Sequence, residues 1–190
     1  VSPIISAKGG LSSAGYGQFS LIGGATSFDS IATYTVGSGG QASITFGSIP
    51  STYKHLQLRY FCQASSAASF VMLLNGDTAN SSDYRSHNLV GNGSAASAAS
   101  YAFSDLYSVF NNTSIFTAGV IDLLDYASTS KLKTIRALRG VDANGSGNVS
   151  LHSIGWNGTN GLNAINQIYI KPDTGNFTQY SSFALYGIKG

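Results

Sequence analysis

Residues 55–62 read HLQLRYFC, and their alternation decides what kind of chain this is. Leu56, Leu58, Tyr60 and Cys62 fall on one side, with His55, Gln57 and Arg59 on the other. Successive side chains of an extended strand leave opposite faces, so a period of 2 describes a strand with one face in a core and the other in water. The same texture runs outward in both directions. Upstream, IATYTV (31–36) and ASITF (42–46) flank GSGG (37–40), which predicts a hairpin. SIPSTYK (48–54) then makes a connection through Pro50 and Ser51.

Downstream, SFVMLLN (69–75) ends at the turn Asn75-Gly76-Asp77, and YRSHNLV (84–90) is a further short strand. GNGSAASAAS (91–100) reads as a small-residue loop, and YAFSDLYSVF (101–110) as an ambiguous strand with room for a helical turn near 105–110. IFTAGVIDLLDY, LKTIRALRG, NVSLHSIGW, NAINQIYIK and QYSSFALYGI complete the series. Clusters of Asp, Asn, Gly and Pro separate them, as tight reversals require. About ten short strands and no sustained helical period predict an all-β fold, an antiparallel β-sandwich of jelly-roll-like type. The last strand is bulky up to Ile188. A chain end of that kind must be tied into a sheet, and we expect it to be buried beside IATYTV.

Residues 1–28 differ in texture. Glycines at 9, 10, 15, 17, 23 and 24 interrupt apolar residues that follow neither strand nor helix spacing. The division expected is an irregular N-terminal arm over 1–28 and a sandwich domain over 29–190. Ile4, Ile5, Leu11, Tyr16, Phe19, Leu21 and Ile22 would be the arm's docking anchors, and its glycines would allow close backbone approach. An extra edge strand on its own domain is the competing reading.

Composition narrows the function. Charged residues make up 9% of the 190, against roughly 25% in ordinary soluble domains. A weakly charged surface suits a protein packed among copies of itself. The net charge is +2, and the local cluster Lys131, Lys133, Arg136 and Arg139 splits across two strand faces. It reads as a solvated face without the coherent stripe that nucleic acid would need. One cysteine, Cys62, excludes an internal disulfide and reads as a small buried side chain. No run of 18 apolar residues encodes a membrane span.

Candidate chemistry is thin. His55, His87 and His152 lack metal-ligand spacing, so neither a metal nor another cofactor is expected. VDANGSGNV (141–149) places Asp142, Asn144 and Ser146 like the first ligands of a calcium loop, but Ser153 stands where an acidic residue is needed, and a hairpin turn fits better. All eight acids are Asp; Asp122 and Asp125 are the most suitable pair for glycoside cleavage, and no elbow or phosphate loop accompanies them. We therefore expect no enzyme. Sugar binding stays open through aromatics such as Tyr101, Tyr107, Tyr126 and Tyr180, and above all through Tyr84, Arg85, His87 and Trp156, as rings to stack on and polar groups to fix hydroxyls. The alternative is that most of these aromatics fill a core or an interface.

Several stretches carry a resemblance: SIATYTVGSGGQASITFGSIPSTYKHLQLR (30–59), NGD (75–77), YRSHNLVGNGSA (84–95), IDLLDYASTSKLKTIR (121–136) and SSFALYGIKG (181–190). Together they resemble small structural proteins of tailed bacteriophages of aquatic bacteria, including cyanophages, over about residues 28–190. GGLSSAGYGQF (9–19) is similar to the Gly-rich leaders that attach appendage domains to a virion. The resemblance implies a virion component with a β-sandwich body: a tail-fibre or baseplate appendage, or a capsid decoration. Its partners would be other virion proteins and itself in a homo-oligomer, a trimer being one arrangement, with a host surface glycan as a further ligand at a fibre tip. Neither nucleic acid nor membrane is an expected partner.

Overall fold

The computed structural model describes residues 27–66, 68–77, 83–103, 106–111, 115–157 and 160–190, with side chains left out at 68 and 103–111. The arm residues Ile4, Ile5, Leu11, Tyr16, Phe19, Leu21 and Ile22 therefore lie outside it. The described chain is an all-β, antiparallel sandwich. Its strands are β1 (Phe28–Thr35), β2 (Ile44–Phe46), β3 (His55–Cys62), β4 (Ala68–Leu74), β5 (Tyr84–Gly91), β6 (Ala96–Phe103), β7 (Leu106–Asn111), β8 (Thr117–Leu124), β9 (Lys133–Asp142), β10 (Gly147–Trp156), β11 (Ile168–Pro172) and β12 (Ser182–Ile188).

A large sheet has the order β1-β12-β3-β8-β9-β10-β5-β6, and a small one the order β2-β11-β4-β7. The chain passes repeatedly between them, so that β1 pairs with β12, β2 with β11, β3 with β8 and β4 with β7. The hairpins β5–β6 and β9–β10 enter this nested winding and lengthen the large sheet by four strands.

The deciding stretch folds as its alternation requires. Leu56, Leu58, Tyr60 and Cys62 are buried, whereas Arg59 and Phe61 are exposed. The C-terminal strand lies between β1 and β3, beside IATYTV as expected. Its inward residues Phe183 and Leu185 meet Tyr60 and Leu58 across the pair. From the small sheet Phe70 stacks on Tyr60, ring centroids 4.9 Å apart, and packs on Phe183 and Phe177. This aromatic knot joins the two sheets.

Two local expectations fail. IATYTV and ASITF form no hairpin, because β1 pairs with β12 and β2 with β11, in different sheets. GSGG turns the chain from one sheet to the other; a tight-turn signal fixes a reversal, not its partner. The small-residue run expected as a loop supplies β6 from Ala96 onward, held by eight register pairs with β5. Alanine and serine have little strand propensity, so ladder bonds rather than burial keep it extended. The stretch 106–111, read as an ambiguous strand, is a strand. The calcium-like stretch is the β9–β10 turn: Asp142 accepts the Asn144 amide at 2.9 Å, with Asn144 and Gly145 at positive φ.

Candidate assembly surface

Register places the outward residues of β3, β8, β9, β10, β5 and β6 in ordered rows. One row runs Arg59, Val120, Leu138, Leu151, Leu89 and Ala98. Its neighbour toward the hairpin turns runs Phe61, Ala118, Gly140, Val149, Gly91 and Ala96. These residues share the outer face because the period is 2, and their opposite-parity neighbours are the ones in the core. Leu138 and Leu151 are each 52% exposed, Leu89 53% and Val149 54%. Phe61, half exposed, stacks on Phe116 with centroids 4.8 Å apart. Small side chains leave a hollow of about 420 Å³ between Val120, Leu138 and Val149, over Ala118 and Gly140. Apolar residues exposed singly are ordinary, but a contiguous band rimmed by polar groups marks an interaction site.

The rim is the row on the other side of the leucines: Gln57, Asp122, Arg136, Ser153, His87 and Ser100. Arg59 turns toward it, away from the band. Its Nε donates to Gln57 at 2.7 Å, and its guanidinium lies 5.6 Å from the centre of the Phe28 ring and 5.3 Å from that of Tyr186. Gln57 in turn donates to Asp122 at 2.8 Å. The rim is thus a hydrogen-bonded polar edge beside a dry band, an arrangement suited to holding another surface in one orientation.

The residues expected to bind sugar are dispersed. Tyr84 and Trp156 are 1% and 0% exposed, stacked on each other with centroids 6.3 Å apart. The indole donates to Asp77 at 2.7 Å, and the Leu74 amide donates to the Tyr84 oxygen at 3.1 Å. Neither ring has a face open to a ligand, so both are corrected to core residues. Tyr126 is also interior, its hydroxyl bonded to the Pro50 carbonyl. Arg85 and His87 are exposed on the outer face of β5, and Tyr101 and Tyr180 are exposed elsewhere. The side chain of Tyr107 lies outside the described residues.

Asp122 and Asp125, the suggested carboxylate pair, do unrelated work. Asp122 belongs to the rim, while Asp125 sits in a turn between Lys131 at 2.9 Å and Lys54 at 3.0 Å, whose hydrogen bonds hold its carboxyl down to about 2. His55 accepts the Asp125 amide at Nδ1, 2.9 Å away. Among the described residues no group of three His, Cys or Asp side chains is placed to hold a metal ion.

The basic residues bring the largest surprise. Lys133 and Arg139 share a face as the sequence implies, but that face is the interior, not solvent: they are 1% and 7% exposed. The reason is visible in their own strand, where Ile135 and Ala137 stand between them at the same parity. Lys133 is capped by the carbonyls of Ser128, Lys131 and Gly161, which replace its hydration. Burial lowers its pKa. Arg139 lies between Gly119 and Ser150 in register, and its Nε and Nη1 have no hydrogen-bond partner among the described residues. Burial lowers its pKa, and Tyr60 opposes the shift. Beside it His152 bonds Ser150 at 3.0 Å, and burial, together with the Arg139 charge, holds its pKa down to about 4. Gly119 is required here, since a Cβ would come within 2.3 Å of the Tyr60 ring.

No family model, no curated protein and no solved structure matches the chain.

Proposed function

We propose that this protein is a non-enzymatic structural component of a bacteriophage particle, a tail-fibre or baseplate appendage or a capsid decoration, anchored through its N-terminal arm. The observation that carries the proposal is the half-exposed leucine row of the outer face. A band of Leu138, Leu151, Leu89 and Val149 bordered by polar residues belongs against another protein surface. The 9% charged content fits a chain that spends its life in an assembly. We read the nested pairing of β1 with β12, β2 with β11, β3 with β8 and β4 with β7 as a jelly-roll winding, an architecture used in capsid and lectin domains.

Purified particles provide the test. Deleting residues 1–26, which spares β1, is expected to abolish incorporation, and Leu138→Asp with Leu151→Asp to reduce it while leaving the isolated domain folded. Full incorporation of both variants would defeat the reading. A glycan-binding role at a fibre tip would rest on Arg85 and His87, which share the outer face of β5, and a glycan array comparing wild type with Arg85→Ala measures it.

A further inference from the structure

We propose that β6 is a strand-addition edge whose occupant is β6 of a second copy, running antiparallel across a two-fold axis so that two large sheets become one. The two edges of the large sheet are built differently. β1 carries a register shift between Ser30 and Ala32, and Asp29 at its start is ion-paired to Lys189 at 2.7 Å. Bulges and edge charges are the usual defences against unwanted pairing. In the small sheet, edge strand β2 is only three residues long. β6 has none of these devices. It is eight residues long, its register with β5 is unbroken, and it contains no charged residue and no proline. Among the described residues no strand pairs with its other side.

β6 also gains little by burial, since Ala96, Ser97, Ala98, Ser100, Tyr101 and Ala102 are all exposed. A long, regular, uncharged edge of this kind is a template for another strand.

A second copy fits the edge for three reasons. Identical antiparallel edges satisfy each other's N–H and C=O groups equally, which is the self-complementarity of a two-fold interface. No position sets like charges opposite each other. The third reason selects the register. With Ala98 opposite Ala98 of the copy, the row Leu138, Leu151, Leu89 and Ala98 meets its own image, and the apolar band runs unbroken across the axis. Pairing then extends the surface that the particle would cover. The inference rests on the edge itself and stands whether or not the particle assignment does.

The full chain in solution provides the test. Wild type is expected to sediment as a reversible dimer at sub-millimolar concentration. Ala98→Cys should be captured as a covalent dimer by a short bis-maleimide, whereas Thr33→Cys, in the same row on β1, should not; native Cys62 is buried and stays silent. Ala98→Lys with Ser100→Lys should weaken the dimer by about tenfold or more, with circular dichroism unchanged. A monomer at every concentration, equal capture through Thr33→Cys, or a dimer untouched by the lysines would overturn the proposal. So would a dimer lost on deleting residues 1–26 but kept by the lysine variant, since that result assigns the dimer to the arm.

Discussion

Where β12, β3 and β8 line the interior, the large sheet presents Phe183, Leu185, Leu56, Leu58, Ile121 and Leu123; along β9 and β10 the same face also presents Arg139, Ser150 and His152. One sheet, one side and continuous rows thus hold two kinds of interior. In the first, the small sheet supplies Phe70 against Tyr60 and Phe183, and apolar surface meets apolar surface save at the Tyr60 hydroxyl, which is buried without a hydrogen-bond partner among the described residues. In the second, Nε and Nη1 of Arg139, Nδ1 of His152 and, on the adjoining β5, Oγ of Ser86 are buried without hydrogen-bond partners among the described residues. Burial of that sort opposes folding, by roughly 1–3 kcal/mol for each neutral group and more for a charge. The apolar half therefore holds the fold, and the polar half depends on it.

The largest effect expected from this contrast is in the apolar half. Phe183→Ala should cost about 3–5 kcal/mol, because the cavity opens where both sheets meet and cannot collapse. Urea titration measures it; a loss below that range would mean that the aromatic knot is not the main support. The opposite sign is expected in the polar half. Arg139→Met keeps the aliphatic volume and removes a buried charge whose Nε and Nη1 have no partner among the described residues, so it should stabilise the protein by about 1–3 kcal/mol. A destabilised Arg139→Met would show that the guanidinium has a counter-charge, and the two halves would then be alike.

The alternation of HLQLRYFC made the sandwich legible, and the bulk of the last strand showed that the terminus is tied into a sheet. The last strand's place beside β1 was legible, but the partner of β2 was not, because GSGG specifies a reversal within four residues while β2 finds β11 by packing some 120 residues away. The outer face was harder still. Leu138 and Leu151 alternate with Ala137 and His152, and bulk alone would place the leucines inside. Parity linked Lys133 and Arg139 to Ile135, yet charge suggested solvent; three backbone carbonyls around Lys133 are a tertiary provision that no local pattern announces. Trp156 and Tyr84 were misplaced for the converse reason, since turn residues beside an aromatic look the same whether its ring faces out or in.

A third effect depends on pH. The unfolded chain takes up a proton on histidine near 6.5, but His152 in the fold does so only near 4. Between these values the unfolded state binds more protons, so stability present above pH 6.5 is lost progressively as the pH falls toward 4. His152→Gln should flatten that limb of the curve of urea midpoint against pH. Asp125, lowered from 3.8 to about 2, contributes a separate loss below pH 4 that should survive the substitution. An unchanged slope between pH 6.5 and 4 in His152→Gln would show that the polar interior is hydrated.

The smallest effect concerns the outer face. Leu138 belongs to the same strand as Arg139 and is half exposed, so Leu138→Ser removes little buried area and should change the stability of the monomer by no more than about 0.5 kcal/mol. The change should appear in association, because a leucine in the middle of the row loses its contact only when another surface covers it. Incorporation into purified particles and thermal melting of the isolated chain separate the two. If Leu138→Ser unfolds the domain as a core substitution does, the band is already covered within the chain, and the distinction between an inner face that holds the fold and an outer face that recruits a partner collapses.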